Sequence, residues 1–227
     1  MVKKHYLKGV YRGEPKQAFG LKTAIEKSAV LGDVYLSFKG LDGDDCADKQ
    51  HHGGLERALH QYPSEHYSYW AKNYNVAVEW KASGMGENLS SVGMSETSVC
   101  IGDRYQWGAA IIEVSQPRSP CYKLNERWGI NGFSTAMQET SLCGWLYRVI
   151  APGVVSVYKP LQLVERVRHP LTVAEVCKLF FCSPLEPEGL DQLKEQKKLS
   201  KSWLSKVDRR LKTGEVENWD FRLLGCE

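Results

Sequence analysis

The stretch Ile111–Asn125, IIEVSQPRSPCYKLN, decides how the rest of the chain is read. Ile112 and Val114 alternate with Glu113 and Ser115, the period-two pattern of a half-buried strand. That strand runs into a segment stiffened by Pro117 and Pro120, which fix their own φ and remove two backbone donors. Ser119, just before Pro120, is biased to an extended conformation. The expected result is a rigid loop at a strand end that holds Cys121 in one orientation. Arg118 and Lys123 flank the cysteine with positive charge, which favours the thiolate, the form that ligates metals or attacks electrophiles. The plainer alternative is a small buried hydrophobe, the usual fate of a free cysteine.

The 227 residues suffice for one large domain, or one domain and a small appendage. A hydrophobic content of 42% and a charged content of 25% are ordinary for a water-soluble globular protein. The net charge of +3 does not point to nucleic acid. Seven cysteines, at 46, 100, 121, 143, 177, 182 and 226, are scattered with no C-x-x-C pair. That argues against a disulfide framework and a zinc ribbon, and suits a reducing cytoplasm. No apolar run approaches the ~18 residues of a membrane span, and the basic amino terminus lacks a signal-peptide core.

Upstream, Val34, Leu36 and Phe38 read as one face of a strand, followed by the turn Asp42-Gly43-Asp44. Gly53 and Gly54, after His51 and His52 and before Arg57, could offer bare N–H groups and a cation to an anion; a plain glycine turn is the alternative. Pro63-Ser64-Glu65 starts a helix whose Tyr67, Trp70 and Tyr74 form a core stripe. The glycine-punctuated short strands around Val99, Ile101, Tyr105 and Trp107 suggest a curled antiparallel sheet or barrel. Asn131 to Thr140 is helical in composition, and the run from Gly144 through the Pro152-Gly153 turn returns to strand, carrying Arg148.

At His169-Pro170 the texture changes. We expect a β-domain over 1–169 and, over 170–227, a bundle of three short helices, the first opened by a capping box at Thr172 and Glu175. Eight cations lie between Lys194 and Lys212, yet 170–227 holds ten basic and ten acidic residues, so no nucleic-acid role is expected.

These pieces resemble the MOSC family, named for the carboxy-terminal domain of molybdenum cofactor sulfurase, and within it a stand-alone bacterial branch in which a three-helix domain follows. The resemblance rests on GLDGD (Gly40 to Asp44), HGG with Arg57, GENL (Gly86 to Leu89), IGD (Ile101 to Asp103), SQPRSPCYKL (Ser115 to Leu124) and GWLYRVIAPG (Gly144 to Gly153). It implies a mainly β, barrel-like fold binding molybdopterin, with Cys121 as the molybdenum ligand. A soft thiolate suits such a metal centre. Arg57, Arg118 and Arg148, with Gly53, Gly54, Asn88 and Lys123, are the implied contacts to the pterin phosphate. Asp44 and His52 would orient these groups or deliver protons.

The resemblance further implies two-electron reduction of N-hydroxylated compounds, such as 6-hydroxylaminopurine, to amines with loss of water, detoxifying base analogues. The electrons would come from a separate flavin or iron–sulfur reductase, because the chain shows neither a Rossmann fingerprint nor cluster spacing. The chain leaves no room for the aminotransferase domain of larger relatives, so pyridoxal phosphate is not expected; the separate amino-terminal module of other N-hydroxylamine-reducing relatives is not expected either. Rival readings are a cofactor or sulfur carrier using Cys121, a cysteine hydrolase pairing Cys121 with His52, and a metal site from Cys46, His51, His52 and His60.

Overall fold

The computed structural model of the protein describes residues 4–49 and 52–225; His51 therefore lies outside the described residues. Nine strands form one sheet, in the order Lys4–His5, Leu161–Glu165, Arg104–Trp107, Ala110–Pro117, Trp145–Ala151, Leu59–Pro63, Leu89–Ser91, Leu7–Arg12 and Ser28–Ala29. Neighbours are antiparallel except Leu59–Pro63 and Leu89–Ser91, which run parallel. A three-stranded sheet of Gly153–Ser156, Asp33–Ser37 and Gly40–Leu41 lies apart from it in pairing, as does the ribbon Lys16–Ala18 with Leu21–Thr23.

The expected barrel is corrected here. Closure requires the two edge strands to pair, and among the described residues they do not: each edge ends in a two-residue strand, Lys4–His5 at one side and Ser28–Ala29 at the other. The sheet bends without closing. The register of Ala110–Pro117 against Trp145–Ala151 shifts between Ile111 and Ile112 and again between Val114 and Gln116, and such irregularities increase local twist.

Ala110–Pro117 is also not half-buried. Glu113 is 1% exposed and Ser115 0%. The face that alternation assigns to solvent is covered from the C-terminal side, where Ser200 N–H donates to the Ser115 carbonyl at 2.9 Å. Glu113 is buried because three cations meet it: Arg104 at 2.6 Å, Arg148 at 2.7 Å and Lys198 at 3.4 Å. A buried carboxylate persists only with such partners.

Elsewhere local chemistry acts as expected. Ser64 precedes the helix Glu65–Asn73, with Tyr67 and Trp70 in the core. Phe133 and Met137 of Phe133–Thr140 are fully buried, and Trp70 meets Phe133 edge-on at 4.9 Å.

The three helices expected in the C-terminal segment are present, and a fourth follows them. Val173–Cys177 begins with the Thr172–Glu175 capping box and passes into a π-helical turn, Lys178–Cys182. Pro187–Glu195 and Lys201–Thr213 follow, and a further short helix, Asp220–Leu224, ends the described chain. The first of these helices is tied into the β-region by Val173 N–H to Val99 O and Ala174 N–H to Glu96 O, at 2.9 and 2.8 Å. Val173, Val176 and Cys177 belong to the same hydrophobic core as the sheet. No described helix is long and apolar enough to cross a membrane.

One glycine fixes the approach of the central strands. Gly144 has φ +69°, and a Cβ there would drive into the Gln61 carbonyl oxygen; its own carbonyl accepts from Arg118 N–H at 3.1 Å. Gly144→Ala combines a left-handed φ with a clash against backbone, and is expected to lower unfolding free energy by about 2 kcal/mol or more in chemical denaturation. A change below about 0.5 kcal/mol would show that this close approach is unimportant.

Candidate functional site

Cys121 lies between Pro120 and the short helix Lys123–Trp128, and is 6% exposed. Its segment is anchored on both sides. Upstream, Arg118 N–H bonds Gly144 O. Downstream, Tyr122 N–H donates to Arg222 O at 2.8 Å, and Leu124 N–H closes onto Cys121 O at 3.0 Å. The side-chain guanidinium of Arg222 donates from Nη1 to Pro120 O and from Nη2 to Gln138 Oε1, both at 2.6 Å. Every backbone group so fixed is one the prolines alone could not hold.

Burial by itself would push the Cys121 thiol up. The hydrogen bond with the His52 side chain, the positive charges of Arg118 and His52, and the Lys123 backbone N–H outweigh it, bringing the thiol down to about 6. The sulfur is thus a thiolate at neutral pH although it is nearly enclosed. Its surroundings are cationic. Arg222 is itself lowered to about 10, by burial first, with Cys121 opposing and Arg118 adding to the shift; it remains protonated. Burial lowers Lys206 as well, with the positive charges of Arg222, Arg210 and Arg57 adding to the effect. Arg57, Lys206, Arg222 and Arg118 thus form one connected run of cations that ends at the Cys121 loop. Among the described residues no carboxylate forms an ion pair with Arg118 or Arg222.

Of the residues singled out in the sequence, His52 hydrogen-bonds Cys121 through its side chain and Lys123 through its backbone rather than its ammonium, while Arg118 acts on the sulfur through its charge and points its Nη1 to Met137 Sδ at 3.5 Å. Gly53 and Gly54, at φ +79° and +94°, follow His52; a Cβ on Gly53 would strike Cys46 Sγ, whereas Gly54 faces open space. Asp44 and Asn88 brace the site from behind. Asp44 pairs with Lys27 and accepts from Gly13 N–H and Asn88 Nδ2. Asn88 Oδ1 then accepts from His60 N–H at 3.0 Å. Buried His60 is held near 3, chiefly by burial and then by Arg118, so its neutral ring donates Nε2–H to Cys143 O at 3.2 Å.

Arg148 is not brought to this group. Its guanidinium is engaged by Glu113, by Glu56 at 3.0 Å and by Lys198 O at 3.0 Å. The contribution of Arg148 is indirect, because Glu56 is the residue before Arg57 and its carbonyl also accepts from Ser115 Oγ at 2.6 Å. Sequence reasoning missed Lys206 and Arg222. Nothing local marks Arg222, which lies 102 positions from the carbonyl it binds. No group of three or more described His, Cys, Asp and Glu residues forms a metal site, so Cys46, His52 and His60 do not constitute one.

Comparison with known proteins gives three findings. The family model described as "MOSC domain" matches residues 48–162. Protein YiiM of Escherichia coli (strain K12) is 44% identical over 219 residues, covering 95% of this chain and 97% of that protein; its crystal structure superposes with a TM-score of 0.85 at 39% identity, over 97% of this chain and 98% of that one. A protein named "Reductase" from Gibberella moniliformis (strain M3125 / FGSC 7600) is 33% identical over 231 residues, covering 95% of this chain and 40% of that protein.

The depressed thiol sets an expected pH profile. Alkylation at Cys121, followed by peptide-resolved mass spectrometry, should rise through a midpoint near 6, because only the thiolate reacts. His52→Gln should move the midpoint upward, since one stabilising hydrogen bond and charge are lost. An unshifted midpoint would show that His52 does not hold the sulfur.

Proposed function

This chain belongs to the MOSC domain family, and on that footing we propose that it is a molybdenum-cofactor-dependent oxidoreductase that reduces N-hydroxylated compounds to amines. The observation that carries the reading is the nearly enclosed thiolate of Cys121 set among cations. The donor set fits the group: a soft sulfur ligand for the metal, and guanidinium and ammonium groups for a phosphate. A hard cation would require a cluster of carboxylate and carbonyl oxygens instead, and among the described residues no group of three or more His, Cys, Asp and Glu side chains forms a metal site.

When bound, the cofactor supplies two-electron oxygen-atom transfer. The remaining work falls to the chain. Cys121 would hold the metal through Sγ, with His52 stabilising the deprotonated sulfur. Arg57 and Arg118 from the β-region, with Lys206 and Arg222 from the C-terminal segment, would receive the phosphate. Arg148 supports this set from Glu56 and Glu113 without reaching it. Reduction of N–OH with loss of water consumes protons, and His52, 40% exposed at its side chain and hydrogen-bonded to Cys121, would pass them inward. The substrates would be small N-hydroxylated molecules such as 6-hydroxylaminopurine, and the electrons would come from a separate flavin or iron–sulfur reductase. The distant relative named "Reductase" supports redox chemistry without specifying a substrate.

A cysteine hydrolase is less well supported. Asp48 Oδ2 lies 3.7 Å from His52 Nδ1, beyond hydrogen-bond range, so this carboxylate does not lock the imidazole tautomer as a triad requires.

Protein produced in a host that makes the cofactor should reduce 6-hydroxylaminopurine with a chemical electron donor, and Cys121→Ser should lose at least about 100-fold in turnover, the scale of removing an essential interaction. Equal turnover by the two proteins would overturn the proposal. Cofactor-loaded protein that never turns over would favour a carrier.

A further inference from the structure

The last helix, Asp220–Leu224, is docked by hydrogen bonds to the Cys121 loop and to the neighbouring helix Phe133–Thr140. Its backbone accepts from Tyr122 N–H at Arg222 O, from Asn125 Nδ2 at Leu223 O (3.0 Å) and from Ser134 Oγ at Leu223 O (2.9 Å). Gly225 ends the helix at φ +77° so close to the Tyr122 ring that a Cβ would collide with it. The side chain of Arg222 then reaches past this seam to Pro120 O and Gln138 Oε1. A half-buried guanidinium normally has a carboxylate partner. Arg222 has none among the described residues; instead its Nη1 sits 2.6 Å from Pro120 O, on the residue immediately before Cys121. Glu217, the nearby acid, is taken by Arg210 at 2.8 and 3.0 Å.

We infer that Arg222 is a positioning residue of the Cys121 site: it clamps the Pro120–Cys121 segment through the Pro120 carbonyl and places on the sulfur's side a positive charge that makes the site select anionic over neutral ligands. The C-terminal segment is then a wall of the site, built by a residue outside the region matched by the family model. The inference rests on the function proposed above only in taking Cys121 as the functional sulfur, and it requires no metal.

The test uses full-length, metal-free protein and two electrophiles of similar size and opposite character, iodoacetate (anionic) and iodoacetamide (neutral), with the rate at Cys121 read by peptide-resolved mass spectrometry. Arg222→Gln is expected to lower the iodoacetate-to-iodoacetamide rate ratio about threefold or more, the scale of removing one nearby charge from a partly buried site. Arg222→Lys should restore most of the ratio. Leu223→Ala, which loosens the same helix and keeps the charge, should raise both rates together and leave the ratio near that of the unaltered protein. A ratio unchanged in Arg222→Gln, or one that falls equally in Leu223→Ala, would overturn the inference. Normal charge selectivity in protein that never acquires molybdenum would sink the reductase reading alone.

Discussion

A thiol enclosed to 6% exposure ordinarily keeps its proton, because burial penalises the charged form. Cys121 departs from that expectation because His52 is brought to it from a distant turn while Arg118 and the Lys123 backbone flank it within its own loop, and Arg222 closes on that loop at Pro120 O. Each donor would be costly to bury on its own, and so would the thiolate. Assembled, they compensate one another, and the loop between Pro117 and Lys123 has one arrangement in which that compensation works.

Much of the surrounding architecture can be understood as holding that arrangement. Gly144 lets Trp145–Ala151 approach Leu59–Pro63 closely enough for its carbonyl to take Arg118 N–H. The Asp44–Asn88–His60 chain fixes the strand beneath. On the other face, Glu113 gathers Arg104, Arg148 and Lys198, and Glu56 links Arg148 to the turn that carries Arg57. These ion pairs are partly buried, so breaking one partner leaves a charge uncompensated, which is why the C-terminal segment and the sheet behave as one packed body here.

The strand and the proline-flanked loop that sets Cys121 beside positive charge were legible from residue types in a few consecutive positions, as were the capping box at Thr172 and the aromatic stripe of Glu65–Asn73. The second burial of Ala110–Pro117 was not. Alternation reports whether one face is polar, and Glu113 and Ser115 are polar yet enclosed, because much of what meets them is distant in sequence: Arg148 and Lys198 at Glu113, and Glu56 O and the Ser200 N–H at Ser115. Barrel closure was not legible either, since it depends on two edge strands too short to carry a pattern. Arg148 was read as a phosphate contact because its motif position suggested it, whereas its orientation is decided by Glu113 across the strand pair. Arg222 illustrates the same limit from the other side: a residue in a short helix near the end of the chain gains its role only through a contact with Pro120.

The measurement that bears most directly on the central claim is molybdenum-edge X-ray absorption on protein loaded in a cofactor-competent host. If the Cys121 sulfur holds the metal, Cys121→Ser should retain less molybdenum, and whatever remains bound should have one sulfur neighbour fewer than in the unaltered protein. An identical sulfur count at equal metal content would contradict ligation by Cys121.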